Sequence, residues 1–544
     1  MRPLIPECKV FSPTAALLFM LIGIAAFAQV LTSYFLADDF FILNSIISSG
    51  PLTDPWASAG GPGFGFLRPV VSFFFWLDHA VWGLSPAGYH LTNIVIHGIN
   101  AYLVALLCSA LLDIFELGGR NDHTAVFSGL VFLLHPSHAE SVSWISGRTD
   151  VIAAFFFLAS VLAICRYLKK PSAPLLALAG LSAALSFFSK ESAVFLPSVL
   201  TALCAAFWHF RRSPGMRRML PYITPALLSF AVLAVYFLVR LSTLGSLRGG
   251  YASNAGTPFI SLGSVAVLVR HSVRALIPAF PKAAYGLFAY NEIILIVGFI
   301  AGAVSAAVAG RLRSLSRREL AFLAFCCFCF LCSLCPAATL KSQIFSSEGE
   351  RLVYIPSVFI SIILSFACLR VLRSRKLRCC AAALLIFFYS GALQIANSNW
   401  ACAARVSRSV IDQIAAIDTS DVILLNLPDN YRGAYMFRMG LQEAVALNGR
   451  EFHSLRVCVY HDVLDLDDQI SLELDPASRV IHVRLPDRNA LIRGISQAKG
   501  VVAVEQEDLH SSSIKVLDAP PGCGVFFYDR GVIRPFRMTA RNSG

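Results

Sequence analysis

The stretch LTNIVIHGINAYLVALLCSALLD, residues 91–113, decides the fold. Its only carboxylate, Asp113, stands at the far end, and the run is long enough to cross a ~30 Å hydrocarbon layer as a helix. Similar windows recur near 12–36, 124–142, 150–168, 173–189, 191–210, 219–240, 285–309, 319–338, 351–371 and 379–397. About eleven transmembrane helices are therefore expected. Composition agrees: of 544 residues, 56% are hydrophobic and 14% charged, and the mean hydropathy is +0.66. No soluble domain hides that much apolar surface, which excludes disordered, collagen-like and secreted disulfide-scaffold proteins. Most of the 15 cysteines, such as Cys326, Cys327, Cys329, Cys332 and Cys335, lie in apolar runs and read as small packing residues.

The net charge of +12 would suggest a nucleic-acid partner in a soluble protein. Here it marks the loops that stay in the cytoplasm, and no nucleic acid is implied. Basic clusters at 166–170, 211–218, 311–318 and 370–378 fall on one side if the ambiguous stretch 259–281 does not cross. That stretch, interrupted by Arg270, His271 and Arg274, reads as re-entrant or interfacial. The N-terminus is then cytoplasmic and the chain beyond about residue 400 extracytoplasmic. The first span reads as a retained helix, since its core is long and Phe35-Leu36-Ala37 lacks the small residue a signal-peptide site needs.

The composition changes near residue 400. Runs 422–427, 455–460, 469–474 and 480–485 read as strands, and 431–447 as a helix. The expected organisation is an α-helical polytopic membrane domain, 1–399, with an outer loop at 37–90, and a small extracytoplasmic α/β domain, 400–544. Cys458 and Cys523 are either a disulfide or two free thiols.

Charges at a membrane edge need a reason. Asp38 and Asp39 follow the first span and suit either general-base catalysis, divalent-cation binding or a solvated helix end. The loop after them carries Arg68 and Asp78 among many aromatics. His138 and Glu140 are metal-ligand types, Arg148 an anion binder, although packing histidines are equally common. His90, Asn93 and His97 share one helical face, which lines a polar groove or makes interhelical hydrogen bonds. Lys190 and Arg351, with Glu350 and Tyr354 beside the latter, stand on the cation-poor side. Each cation has either a phosphate anion or a neighbouring glutamate as partner.

Several strings resemble one family. Ala37-Asp38-Asp39-Phe40 resembles the acidic motif of the GT-C superfamily, polytopic glycosyltransferases that use lipid-phosphate-linked sugars. RPVVSFFFWLDHAVWGLSPAGYHLTNIVIHGINA (68–101), HPSHAESVSWISGRTD (135–150), SKESAVFLP (189–197) and GERLVYIPS (349–357) resemble one branch of it. That branch is the transmembrane and tetratricopeptide-repeat O-mannosyltransferases and their bacterial relatives. The likeness spans roughly 10–400, and the repeats themselves are missing, which leaves the acceptor open among protein, lipid and glycan. LPDNYRGAYMFRMGLQEAV (427–445) looks like a stretch of bacterial membrane proteins, so a bacterial inner membrane with a periplasmic active site is expected.

The resemblance implies a GT-C fold and a polyprenyl- or dolichyl-phosphate sugar donor, mannose as the first choice. It implies Asp38 as base with Asp39 second, inversion at C1, and phosphate contacts from Arg148, Lys190 and Arg351. Arg68, His90, Asn93, His97, Glu350 and Tyr354 complete the substrate set, and His138 and Glu140 stand where some members hold a divalent metal ion. Another sugar, such as arabinose or aminoarabinose, is an alternative within enzymes. A transporter or flippase for lipid-linked sugars would instead show internal repeats and midplane charges, and a scaffold would leave the acidic pair unexplained.

Overall fold

The computed structural model describes residues 12–49, 65–118, 121–211, 220–247, 262–276, 315–339 and 347–536, except 373, 476, 479, 486–489, 496–501 and 517–521. In chain order the first helices are α1 (Pro13–Ala26), α2 (Asp38–Ser49), α3 (Pro69–Trp82), α4 (Pro86–Ile114) and α5 (Asn121–Leu133). Then come α6 (Ala139–Ser143), α7 (Arg148–Lys169), α8 (Ala173–Phe187), α9 (Leu196–Arg211), α10 (Leu220–Leu244) and α11 (Leu262–Leu276). The last are α12 (Arg317–Leu334), α13 (Pro356–Phe366), α14 (Arg375–Ala415) and α15 (Leu441–Leu447). The described residues form two compact units, one from 12–31 and 65–397, the other from 32–49 and 398–536.

Among the described residues, six helical stretches are long and apolar enough to cross a membrane: Pro86–Ile114, Ile145–Lys169, Glu191–Arg211, Pro221–Leu244, Arg317–Ala338 and Arg375–Ala415. Shorter apolar helices cover Pro13–Ala26, Asp122–Leu133, Ala173–Phe187 and Pro356–Val371. The expected span 285–309 lies outside the described residues, and each of the other ten expected windows overlaps one of these helices. Hydropathy windows overshoot helix ends. The window 12–36 contains a helix only to Ala26, capped at its start by Ser12. The window 124–142 loses its helix at Leu133, just before Pro136. α11 has 15 residues, about 22 Å of helix, short of a bilayer core. α1 lies close on α4, where a Cβ at Gly98 would stand 2.7 Å from the Cα of Met20, so only glycine permits the approach.

One end of this unit gathers the basic loops. Lys169 and Arg211 pair with Asp113 at 2.5 and 3.2 Å, and Arg211 and Arg318 with Glu116 at 3.6 and 2.5 Å. Arg370 donates to the Gly118 carbonyl at 2.6 Å. Four basic clusters that the positive-inside reading assigned to one side therefore share one end of the bundle.

The second unit carries β1 (Asp421–Tyr431), β2 (Ala434–Tyr435), β3 (Ser454–Val463), β4 (Ser471–Asp475) and β5 (Val480–Arg484). They are followed by β6 (Ile492–Ile495), β7 (Val502–Gln506), β8 (Ser511–Val516), β9 (Gly524–Asp529) and β10 (Val532–Pro535). One mixed sheet runs β10-β9-β1-β3-β6 with β2 on β1, and β1 is parallel to both β3 and β9. An antiparallel sheet runs β4-β5-β8-β7. Residues including Ile423, Leu425, Val459, Ile481, Val504 and Ile514 form a shared core. The helix expected over 431–447 shrinks to Leu441–Leu447, because Arg432, Gly433 and Gly440 have φ of 51°, 92° and 81°, outside helical space. Cys458 and Cys523 are free thiols.

Candidate functional site

The acidic turn belongs to the second unit. Ala37 adopts φ 47°, unusual for a residue with a Cβ, and its N–H donates to the Met436 carbonyl at 3.1 Å. Gly440 at φ 81° comes so close that a Cβ there would lie 2.6 Å from the Ala37 carbonyl oxygen. α2 begins immediately after, so both carboxylates sit in the first turn of a helix, where its dipole favours negative charge. That relieves the repulsion between neighbours that the sequence alone implies. The two then diverge. Asp39 is 1% exposed, and its Oδ2 accepts the Leu36 N–H at 2.9 Å. Asp38 is less deeply buried.

The same unit holds a buried polar network at the ends of β1 and β3. Asn430 donates to Asp462 Oδ1 at 2.6 Å and to Asp429 Oδ2 at 3.0 Å, and Arg438 grips both Asp429 oxygens. Burial lowers the pKa of His461 to about 4, because the imidazolium would lose its hydration.

In the first unit the remaining candidates gather where 68–82, 135–150, 190–191 and 350–354 meet. Arg148 is wholly buried. Its Nη1 pairs with Asp78 at 2.7 Å, Nη2 donates to the Tyr89 carbonyl at 3.1 Å and Nε to that of Ile145 at 3.2 Å. Its plane also lies over the Phe75 ring at 4.3 Å. Lys190 pairs with Asp150 at 2.5 Å, both side chains being 3% exposed. Arg68 holds Glu191 through two contacts, Nε to Oε2 at 3.0 Å and Nη2 to Oε1 at 2.5 Å. The backbone N–H of Arg351 donates to Glu140 Oε2 at 2.9 Å, and its Nε is 3.5 Å from Oε1.

These are four cations, Arg68, Arg148, Lys190 and Arg351, against four anions, Asp78, Asp150, Glu191 and Glu140. The ladder carries no formal excess charge. An incoming phosphate must compete with carboxylates already in place. Arg351 has the longest of these ion-pair contacts and, at 13% side-chain exposure, exceeds Arg148 at 1% and Lys190 at 3%. Its guanidinium also lies over Trp144 at 5.0 Å. Glu350 is buried in the same turn, after Gly349.

The polar face of α4 makes hydrogen bonds to other segments of the first unit. Asn93 donates towards the carbonyls of Val142, Trp144 and Ile145 at 3.2–3.4 Å. His97 Nε2 faces the Leu133 carbonyl at 3.0 Å, which accepts only, so the proton of the neutral ring is on Nε2. Its Nδ1 then accepts from the Tyr354 hydroxyl at 2.7 Å, which accepts in turn from Asn100 Nδ2 at 3.2 Å. His90 is 1% exposed on the same helix. Of the two readings of this face, the interhelical hydrogen bonds are the ones present.

The metal reading fits poorly. The Ser357 hydroxyl donates to the Tyr354 carbonyl at 2.6 Å, so it accepts from His138 Nε2 at 2.7 Å; that nitrogen carries a proton, and in the neutral ring only Nδ1 keeps a lone pair. Both Glu140 oxygens face Arg351. Among the described residues no group of three or more His, Cys, Asp or Glu side chains has metal-holding geometry. No step is derived through a metal.

Sequence reading missed Asn100, which stands three residues after His97 on the same face and was open to the same periodicity argument. It also missed Ser357, and it took Asp78 and Asp150 as loop residues although they neutralise Arg148 and Lys190.

No protein-family model matches the chain. Part of it is similar to the protein O-mannosyl-transferase TMTC2 of Mus musculus, 37% identical over 100 residues, covering 18% of this chain and 11% of the relative. TMTC2 of Homo sapiens is 33% identical over 141 residues, covering 26% and 14%. Among solved structures, apo ArnT from Cupriavidus metallidurans aligns at 10% identity and TM-score 0.47, covering 81% of this chain and 85% of ArnT. The oligosaccharyltransferase AglB from Archaeoglobus fulgidus, solved with an inhibitory peptide and a dolichol-phosphate, aligns at 12% and 0.40, covering 90% and 77%. Over these matched stretches the chain resembles the O-mannosyl-transferases, and the stretches span 11% and 14% of the length of those two curated relatives.

Proposed function

We propose that this chain is an integral-membrane glycosyltransferase. It moves a sugar, mannose as first choice, from a polyprenyl- or dolichyl-phosphate carrier to a hydroxyl on a protein, lipid or glycan. The reaction takes place on the extracytoplasmic side, which in a bacterial inner membrane is the periplasm. The observation that carries this reading is the acidic turn. A strained Ala37 and a helix start hold two adjacent aspartates, one tied to its own backbone and one less deeply buried. The similarity to O-mannosyl-transferases supports the same conclusion.

The chemistry follows from those roles. Asp38 takes the proton of the acceptor hydroxyl as its oxygen attacks C1 of the sugar. The bond from C1 to the phosphate oxygen breaks, and the lipid phosphate leaves with the electron pair. One direct attack inverts C1. A cation must steady the leaving phosphate. Arg351 suits that task better than Arg148 or Lys190, which position the turns around them through buried ion pairs.

Radiolabelled polyprenyl-phosphate mannose in membranes tests this reading. Asp38→Asn is expected to cut transfer at least ~100-fold, the lower range for a general base, with unfolding unchanged. Asp39→Asn is expected to lower stability as well, since the Leu36 N–H loses its charged acceptor. Full activity in Asp38→Asn removes Asp38 from the base role. Arg351→Ala is expected to raise the apparent KM for the donor more than it lowers kcat. An unchanged KM counts against a phosphate contact.

A further inference from the structure

α1 and α14 converge at one end and part at the other. Near Ala26 they are tied together: Gln394 Nε2 and Asn397 Nδ2 both donate to the Ala26 carbonyl, at 2.8 and 3.1 Å. Gln29 Nε2 adds a third bond, to Gln394 Oε1 at 2.7 Å. Farther back along α1, from Ile22 to Ala15, a cavity of about 960 Å³ opens between α1, α5 and the start of α14. Its walls are apolar, with Leu18 and Ile22 on one side and Val126 and Leu130 on another. From Asp122 to Leu130 the α5 wall runs about 12 Å along the helix.

The charges facing this groove stand at its mouth. They are Arg375 and Arg378 from α14 and Asp122 from α5, beside His123, and α1 contributes none. The mouth lies in the first turns of α5 and α14. Those turns share the bundle end of Arg370, which bonds the carbonyl of Gly118 just before α5. The groove is open to the outside of the bundle, Leu18 being 55% exposed, and its apolar walls offer water few partners. In a bilayer the natural filling is hydrocarbon.

We propose that this groove holds one acyl chain of an anionic glycerophospholipid of the leaflet at the basic end, with the headgroup phosphate on Arg375 and Arg378. Two guanidiniums against one carboxylate favour an anionic over a zwitterionic headgroup. The site is separate from the acidic turn and from the ion-pair ladder, so it does not depend on the transferase reading.

The test is thermal unfolding of the purified full-length chain in detergent, with dioleoyl phosphatidylglycerol or dioleoyl phosphatidylcholine added. Phosphatidylglycerol is expected to raise Tm by several degrees and phosphatidylcholine by much less. The double variant R375Q/R378Q is expected to lose most of that rise, while R317Q, at the same end on α12, keeps it. Ala382→Trp, which fills the groove and leaves its charges intact, is expected to lose it too. Equal responses to the two lipids, or a full response in R375Q/R378Q or in Ala382→Trp, overturn the proposal. If residues 1–11 of the chain filled the groove instead, deleting 2–10 would create a lipid response absent from the full chain, and that also overturns it.

Discussion

The two ends of the helical unit use the same residue types in opposite ways. At the basic end, Asp113 and Glu116 serve Lys169, Arg211 and Arg318, with side chains 30–53% exposed. At the other end, Arg148–Asp78 and Lys190–Asp150 are at most 5% exposed. Exposed pairs keep most of their hydration and contribute little. Buried pairs have lost it, so each partner depends on the other. One end is a solvated collar and the other a rigid scaffold. Catalytic geometry needs the second kind, because a loose support misplaces reacting groups.

Breaking the buried end should have the largest effect. Asp78→Asn strands the Arg148 guanidinium and is expected to cost about 3–5 kcal/mol, read as a large fall in Tm. The double variant Asp78→Leu/Arg148→Met should recover part of that loss, since an apolar pair needs no counter-charge. It cannot recover all of it, because the carbonyls of Tyr89 and Ile145 lose their donor. No recovery would mean that Arg148 acts chiefly through those carbonyls. Next is Tyr354→Phe, which removes the hydroxyl shared by His97 and Asn100 and is expected to cost about 1–3 kcal/mol. Smallest is Asp113→Asn at the basic end, expected to cost about 0.2–1 kcal/mol and to vanish in high salt. A loss at Asp113 as large as that at Asp78 would abolish the distinction between the ends.

Much of this arrangement was legible in the chain. The apolar run 91–113 is the core of α4, and the basic clusters placed Lys169, Arg211, Arg318 and Arg370 together before any coordinates did. Helix ends were less legible, because hydropathy is blind to backbone geometry. Phe35 and Leu36 count as span residues by composition, yet they lie outside any helix after α1 has ended and are buried, within the second unit. The candidate residues were found by type and position. Their ion-pair partners were not, because a buried arginine reads as an anion binder until its carboxylate is known. Arg148 and Lys190 have such carboxylates in Asp78 and Asp150.

The approach of Gly440 to Ala37 has a practical consequence for anyone exchanging parts between such proteins. The C-terminal region looks like a detachable appendage when the chain is divided near residue 400. Yet residues 436–440 hold the backbone that sets the pitch of the two aspartates. A chimera that replaces 398–536 and keeps this chain's own 32–49 would join two surfaces never fitted to each other. The transferable cassette is discontinuous, and both segments must travel together for the acidic turn to keep its shape.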